Sequence, residues 1–143
     1  MRGYWRNAEA TTRKLRAIAD GSGPWLHTDD LFRIDEDGYL FFLGRRDDIF
    51  KVGGHKVSPR EIEEILCTMP GIREAAVIGV PDAQWGHAAR AHVVLVDGAH
   101  LSAEDVVRYC TPKLRAYMVP KSVVFARDLP KTESGKIKKR ELE

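Results

Sequence analysis

Cysteine is scarce in this chain: Cys67 and Cys110 are the only two in 143 residues. Two thiols do not make a disulfide scaffold, so an apolar core must hold the fold, and a cytoplasmic setting is expected. No apolar run approaches the ~20 residues of a membrane-spanning helix. The first residues, Met1-Arg2-Gly3-Tyr4-Trp5-Arg6, lack an apolar leader. An excess of one charge is missing too. The 23 Lys+Arg and 21 Asp+Glu leave a formal net charge of +2, which gives no global attraction to nucleic acid or to an anionic membrane. There is no Gly-x-Ser-x-Gly elbow, so serine-hydrolase chemistry has no support. The histidines, His27, His55, His87, His92 and His100, show no metal-ligand spacing. They read as surface or satisfied histidines, and no metal site is expected. No internal repeat is visible.

What is present is globular. Hydrophobic residues make up 43% and charged residues 31%. A chain of this size buries roughly two-thirds of its unfolded surface, and its length allows one domain, or one domain plus part of another. A helix-like run from Glu9 to Ala19 ends at the turn cluster Gly21-Ser22-Gly23-Pro24. Trp25 to Thr28 reads as extended. Leu31 to Ile34 and Tyr39 to Leu43 flank an acidic Asp-Gly turn and predict a β-hairpin. Gly44-Arg45-Arg46-Asp47-Asp48 interrupts the apolar pattern and marks a boundary. Ile49 to Val52 and His55 to Val57 are short strands around Gly53-Gly54. Ser58-Pro59 with Glu61 starts a helix whose face carries Ile62, Ile65 and Leu66. Ala75 to Val80 and Ala91 to Val96 are buried strands. Ser102 with Asp105 caps a second helix striped by Val106, Val107, Cys110 and Leu114, which Pro112 kinks or ends early. Cys67 and Cys110 fall on the two stripes and read as core thiols. Ser122 to Ala126 is the last strand, and Pro130 to Arg140 is a polar, basic extension. From Ile49 onward the order β-β-α-β-β-α-β predicts an α+β domain, two helices packed on a small sheet.

Several short segments carry groups with chemical potential. Ser134-Gly135-Lys136 offers a lysine beside a glycine on a tail, either a solvated charge or an ammonium delivered to a phosphate or carboxylate oxygen. It is not a nucleotide P-loop, because position 130 is Pro and no Ser or Thr follows Lys136. Lys131 to Arg140 holds five basic residues and one acid, but no interleaved aromatic for stacking on bases, so no nucleic-acid partner is expected. Arg45 and Arg46 either bind phosphates or neutralise Asp47 and Asp48. Gly53-Gly54 either shapes a turn or leaves room for a thin ligand. A carboxylate in Thr28-Asp29-Asp30 is suited to accept hydrogen bonds from ribose hydroxyls.

Together these motifs, in order, resemble one family. Trp25-Leu26-His27-Thr28-Asp29-Asp30-Leu31, Gly38-Tyr39-Leu40 and Gly44-Arg45-Arg46-Asp47-Asp48-Ile49 are the first three. Gly53-Gly54-His55-Lys56-Val57-Ser58-Pro59-Arg60-Glu61-Ile62-Glu63, Tyr117-Met118-Val119-Pro120 and Leu129-Pro130-Lys131-Thr132-Glu133-Ser134-Gly135-Lys136-Ile137 follow. The series resembles the C-terminal part of the adenylate-forming, AMP-binding enzymes, most of all the acyl-CoA synthetases, across essentially the whole chain.

The resemblance implies two half-reactions: a carboxylic acid and ATP form an acyl-adenylate, and a thiol, that of CoA or of a carrier-protein phosphopantetheine, then displaces AMP. It implies that residues 1–46 are the tail of a large N-terminal domain and 47–143 a mobile C-terminal lid with a short hairpin and a small two-helix sheet. Lys136 would be the catalytic adenylation lysine. Asp30 would bind the ribose and Arg45 the nucleotide, Asp47 would be the hinge, and Gly53, Gly54 and Lys56 would face CoA or its pantetheine. Mg2+ ligands, the phosphate loop and the acyl pocket would lie in the large domain, which is the chief expected partner. Alone, the chain is expected to be inactive. The alternative is a free-standing accessory module that docks on a separate large domain or an acyl-carrier protein. One departure stands out: Asp29 replaces the glycine of the family's Thr-Gly-Asp, which would restrict the backbone and add negative charge there.

Overall fold

The computed structural model describes residues 1–17, 21 and 23–142 and falls into two units, Met1–Arg46 and Asp47–Glu143. In the first, helix α1 (Ala8–Lys14) is capped by Asn7, whose side chain accepts the Ala10 N–H at 2.9 Å. The helical pattern points on to Ala19, but the helix stops at Lys14. Strand β1 (Leu15–Ala17) pairs instead with β2 (Pro24–Leu26), Leu15 opposite Leu26, so strand pairing overrides local propensity. The rest of that run, 18–19, the following residue 20 and Ser22 of the turn cluster lie outside the described residues. Strands β3 (Asp30–Ile34) and β4 (Leu40–Arg45) form the hairpin. Asp35 builds its turn by accepting the N–H groups of Asp37 (3.1 Å) and Tyr39 (2.8 Å). Among the described residues this unit buries no apolar side chain, while Ile34, Leu40, Phe41, Phe42 and Leu43 are exposed. An apolar surface of that kind marks a face meant to be covered.

The second unit contains strands β5 (Phe50–Val52) and β6 (His55–Val57), helix α2 (Pro59–Cys67) and strands β7 (Ile72–Asp82) and β8 (Gly86–Leu95). Helix α3 (Ala103–Cys110) and strand β9 (Ser122–Phe125) complete it. The order matches the expected α+β arrangement. β8 lies at the centre of a three-stranded sheet, antiparallel to β7 and parallel to β9. A parallel pair needs a crossover, and α3 provides it. α3 starts with a reciprocal capping box, Asp105 N–H to Ser102 Oγ at 3.1 Å and Ser102 N–H to Asp105 Oδ2 at 3.0 Å. It ends at Cys110, two residues before Pro112. At Ser58 no side-chain bond caps α2, and its start rests on Pro59.

Side-chain alternation divides the sheet into two faces. Val77, Ala91 and Val93 face the helices and pack with Ile62 and Leu66 of α2 and Val106 and Cys110 of α3. Ala76, Ile78 and Val94 face the other way and pack with Leu129, Leu142 and Ile137. Burial on both faces explains why β7 and β8 read as apolar runs rather than alternating patterns. The C-terminal extension is therefore not a free tail, because Ile137 within it and Leu129 and Leu142 at its two ends anchor it to the sheet. Cys67 also departs from expectation. It is exposed while Cys110 is buried, because Cys67 sits about 100° around the helix from Leu66. No helix among the described residues is long and apolar enough to cross a membrane.

His92 is the exception to apolar burial. It is 8% exposed, shares a face with Val94, and its Nε2 has no hydrogen-bond partner among the described residues. Burial, with Arg90 nearby, pushes its pKa below the ordinary histidine value. The unfolded chain therefore takes up a proton first as pH falls below about 6.5, so stability is complete above that pH and drains away below it. His92→Leu should raise the melting temperature at pH 5.5 much more than at pH 8. Equal shifts at both pH values in thermal unfolding would show that His92 is not the acid-sensitive group.

Candidate functional site

The first group of predicted residues gathers at the open end of the β3–β4 hairpin. Asp30 pairs in register with Arg45, and the Asp30 carboxylate lies 3.6 Å from Arg45 Nε. Arg45 also donates to the Thr28 carbonyl at 3.2 Å. Carboxylate and guanidinium thus stand side by side, an arrangement able to accept hydrogen bonds from hydroxyls with one group and face an anion with the other. Asp29 adopts φ +62°, a left-handed conformation that glycine favours and that aspartate tolerates better than most residues. Its carbonyl accepts the Arg46 N–H at 2.8 Å, and its carboxylate is ion-paired with Lys14. The substitution therefore keeps a glycine-like backbone, and Lys14 offsets the added charge. Nothing in the sequence pattern pointed to Lys14, since it reaches this place only through the β1–β2 pairing.

Lys136 sits in an ordered turn. The N–H of Thr132 donates to the Lys136 carbonyl at 2.8 Å, and the N–H of Gly135 to the Thr132 carbonyl at 2.9 Å. The Lys136 N–H reaches Thr132 Oγ1 at 3.1 Å, and Gly135 supplies φ +80°. Lys131 bridges to Ile137 at the base of this lobe. Its neighbours are neutralised: Lys131 pairs with Glu74 at 2.8 Å, Lys138 with Glu141 at 3.0 Å and Lys139 with Glu63 at 2.7 Å. Among the described residues Lys136 alone of these four lysines has no carboxylate partner. Thr132, which organises the turn, was missed by the sequence reading; its place opposite Gly135 was the available signal.

The third group is the β5–β6 hairpin. Gly53 and Gly54 take φ +54° and +87°, the requirement of a two-residue hairpin turn. A Cβ on Gly53 would lie 2.4 Å from Trp85 Cε3, whereas one on Gly54 would meet nothing. Trp85 is set by an Asx turn, Asp82 Oδ1 accepting its N–H at 3.0 Å. The Lys121 ammonium and that N–H hold the Asp82 carboxyl below the usual carboxylate value. Trp85 then walls a pocket of about 450 Å³ with Val52, His55, Tyr117, Val119 and Lys121. The His55 and Tyr117 rings stack at 4.4 Å and 10°. This pocket was not legible beforehand, because its aromatics lie far apart in the chain. Lys56 is exposed opposite Lys51, a like-charge pair that disfavours the strand pairing unless an anion faces it.

Asp47 begins the second unit, in a 3-10 turn spanning Arg46–Asp48. The hairpin residues Phe50, Val52 and Val57 pack on the helix side of the sheet, and Leu129, Ile137 and Leu142, which flank Lys136, on the other. The glycine pair and Lys136 therefore belong to opposite faces of one small domain. Among the described residues no three His, Cys, Asp or Glu side chains gather to hold a metal ion.

An α+β domain with these two faces has known counterparts. The family model for the AMP-binding enzyme C-terminal domain matches residues 61–136, and the chain belongs to that family. It is 42% identical over 142 residues to a feruloyl-CoA synthase from an Amycolatopsis species, covering 99% of this chain and 28% of that protein. It is 41% identical over 142 residues to a long-chain-fatty-acid–CoA ligase of Bacillus subtilis, covering 99% and 24%. ATP-bound MatB from Rhodopseudomonas palustris superposes with a TM-score of 0.86 at 41% identity, covering 98% of this chain and 27% of MatB. The chain thus spans about a quarter of the length of the proteins it matches.

The two glycines should respond unequally to alanine. Gly54→Ala faces only the left-handed backbone, a cost of about 1–2 kcal/mol. Gly53→Ala must in addition displace Trp85, adding about 1–3 kcal/mol. Denaturant unfolding of the two variants should rank Gly53→Ala as clearly the less stable; parity would contradict the Trp85 contact.

Proposed function

We propose that this chain is the C-terminal portion of an AMP-forming acyl-CoA synthetase, working in the cytoplasm with a large N-terminal domain. In the first half-reaction a carboxylate oxygen of the acid attacks the α-phosphorus of ATP, and the bond to pyrophosphate breaks. Lys136 sets its ammonium between the carboxylate and an α-phosphate oxygen and offsets the charge that builds as they meet. Asp30 accepts hydrogen bonds from the ribose hydroxyls, and Arg45 faces the nucleotide. In the second half-reaction the thiol of CoA attacks the acyl carbon and AMP leaves. Gly53 and Gly54 give the pantetheine arm a smooth wall, and Lys56 faces CoA phosphate. Asp47 is the hinge on which residues 47–143 turn between the two tasks. No residue of this chain is assigned to Mg2+, whose ligands belong to the large domain.

The observation that carries this reading is the solitary charge of Lys136. A lysine on an ordered turn that has no carboxylate partner among the described residues, beside three that are neutralised, is available to a substrate anion. Two other features agree with it. Lys136 and the glycine pair belong to opposite faces, so one pose of the domain does not present both to one centre. The exposed apolar strands of residues 1–46 suit a segment completed by the rest of a larger domain. The relatives named for feruloyl and long-chain-fatty acids match this chain about equally well, so the choice of acid is assigned to the large domain.

In an enzyme that contains this chain, Lys136→Ala should lower pyrophosphate release from acid plus ATP by about 10²–10³-fold. Thioester formation from synthetic acyl-adenylate plus CoA should persist. Equal loss of both steps would count against an adenylation lysine. The 143-residue chain by itself should release no pyrophosphate, because catalysis needs groups from two domains at one centre.

A further inference from the structure

Three residues beyond Lys136, the chain is fastened to a different element. Lys139 Nζ lies 2.7 Å from Glu63 Oε1 on α2 and 3.9 Å from Asp48 Oδ2. The Lys139 and Glu63 side chains are only 23% and 19% exposed. The same Glu63 oxygen accepts the Val77 N–H of β7 at 2.7 Å. One carboxylate thereby joins α2, the central sheet and the C-terminal segment. On the other side of the Lys136 turn, Lys131 is held by Glu74 at 2.8 Å, and the Lys138 N–H donates to the Pro130 carbonyl at 2.8 Å. The turn is therefore pinned at both feet, and its second foot also reaches Asp48, the residue after the proposed hinge.

We propose that Lys139 is the positioning residue for Lys136, an inference that rests on the adenylation reading of Lys136. The buried Leu129 and Leu142 keep the segment folded on the sheet. A partly exposed ion pair adds little to that stability. What the Lys139–Glu63 pair adds is direction: it fixes where the short stretch from Ile137 to Lys139 runs, and so where the Lys136 ammonium points. An ångström of error there is enough to cost about 10²-fold in rate.

The test uses the complete enzyme that carries this chain, or the chain with its large domain supplied separately. Lys139→Met removes the pair. Glu63→Gln breaks it from the other end and keeps an oxygen for the Val77 N–H. Each should lower pyrophosphate release by about 10–10²-fold through kcat. Thioester formation from supplied acyl-adenylate should stay at the unsubstituted level. Lys139→Arg, which still pairs with Glu63, should restore most of the first step. In a Lys136→Ala background, Lys139→Met should cause no further loss. Equal damage to both half-reactions, failure of the arginine to rescue, or an additive double variant overturns the proposal. If Lys136→Ala abolishes pyrophosphate release while Lys139→Met is neutral, only the positioning role falls. If Lys136→Ala itself keeps full pyrophosphate release, the adenylation reading falls and takes this proposal with it.

Discussion

The domain depends on apolar cover for both faces of a single β-hairpin. β7 and β8 are sided: Val77, Ala91 and Val93 are buried under two helices, and Ala76, Ile78 and Val94 under the C-terminal segment. Each buried valine, leucine or isoleucine side chain contributes roughly 1.5–3 kcal/mol, far more than any one of the partly exposed ion pairs around it. The segment that bears Lys136 is therefore part of the core. An anchored Lys136 backbone follows from that, because a lysine on an unanchored tail would lose most of its directional value to backbone entropy.

Electrostatics then distinguishes otherwise similar residues. Lys131, Lys138 and Lys139 each meet a carboxylate, and among the described residues Lys136 does not. Asp30 meets Arg45 at the edge of the other unit, and Asp29 keeps its left-handed backbone with Lys14 beside it. Around Lys136 the neighbouring lysines are neutralised within the fold, and the lysine assigned to adenylation is left open.

Much of the fold was legible in the residues. The Asp35–Gly38 turn, the Gly53-Gly54 hairpin, Ser102 with Asp105, and Pro112 as a helix stop each have a local mechanism that acts over a few residues. What failed to show were outcomes decided at long range. The pattern from Glu9 to Ala19 is helical, yet Leu15 pairs with Leu26. The basic extension looks solvated, yet Leu129, Ile137 and Leu142 seal it to a sheet. Cys67 falls beside a stripe without belonging to it. His92 looked like an ordinary histidine until its strand was seen to be covered on both faces. Within the site, Lys136, Asp30, Arg45 and the glycine pair were readable as motifs. Thr132, Lys14 and the pocket of Trp85, His55 and Tyr117 were not, because they arise where separate elements meet.

The double cover also sets an order of events during synthesis. Domains fold as units while the chain emerges, and the residues of the helix-side core, from Phe50 to Met118, are synthesised first. Leu129, Ile137 and Leu142 come last. Until they arrive, a row of small and branched aliphatic side chains on β7 and β8 has no cover. The nascent domain thus passes through an interval with an open, sticky sheet, which closes only when the residues flanking Lys136 have left the ribosome. Completion of the core and delivery of that lysine are one step, so a prematurely terminated copy would lose both its last apolar cover and Lys136.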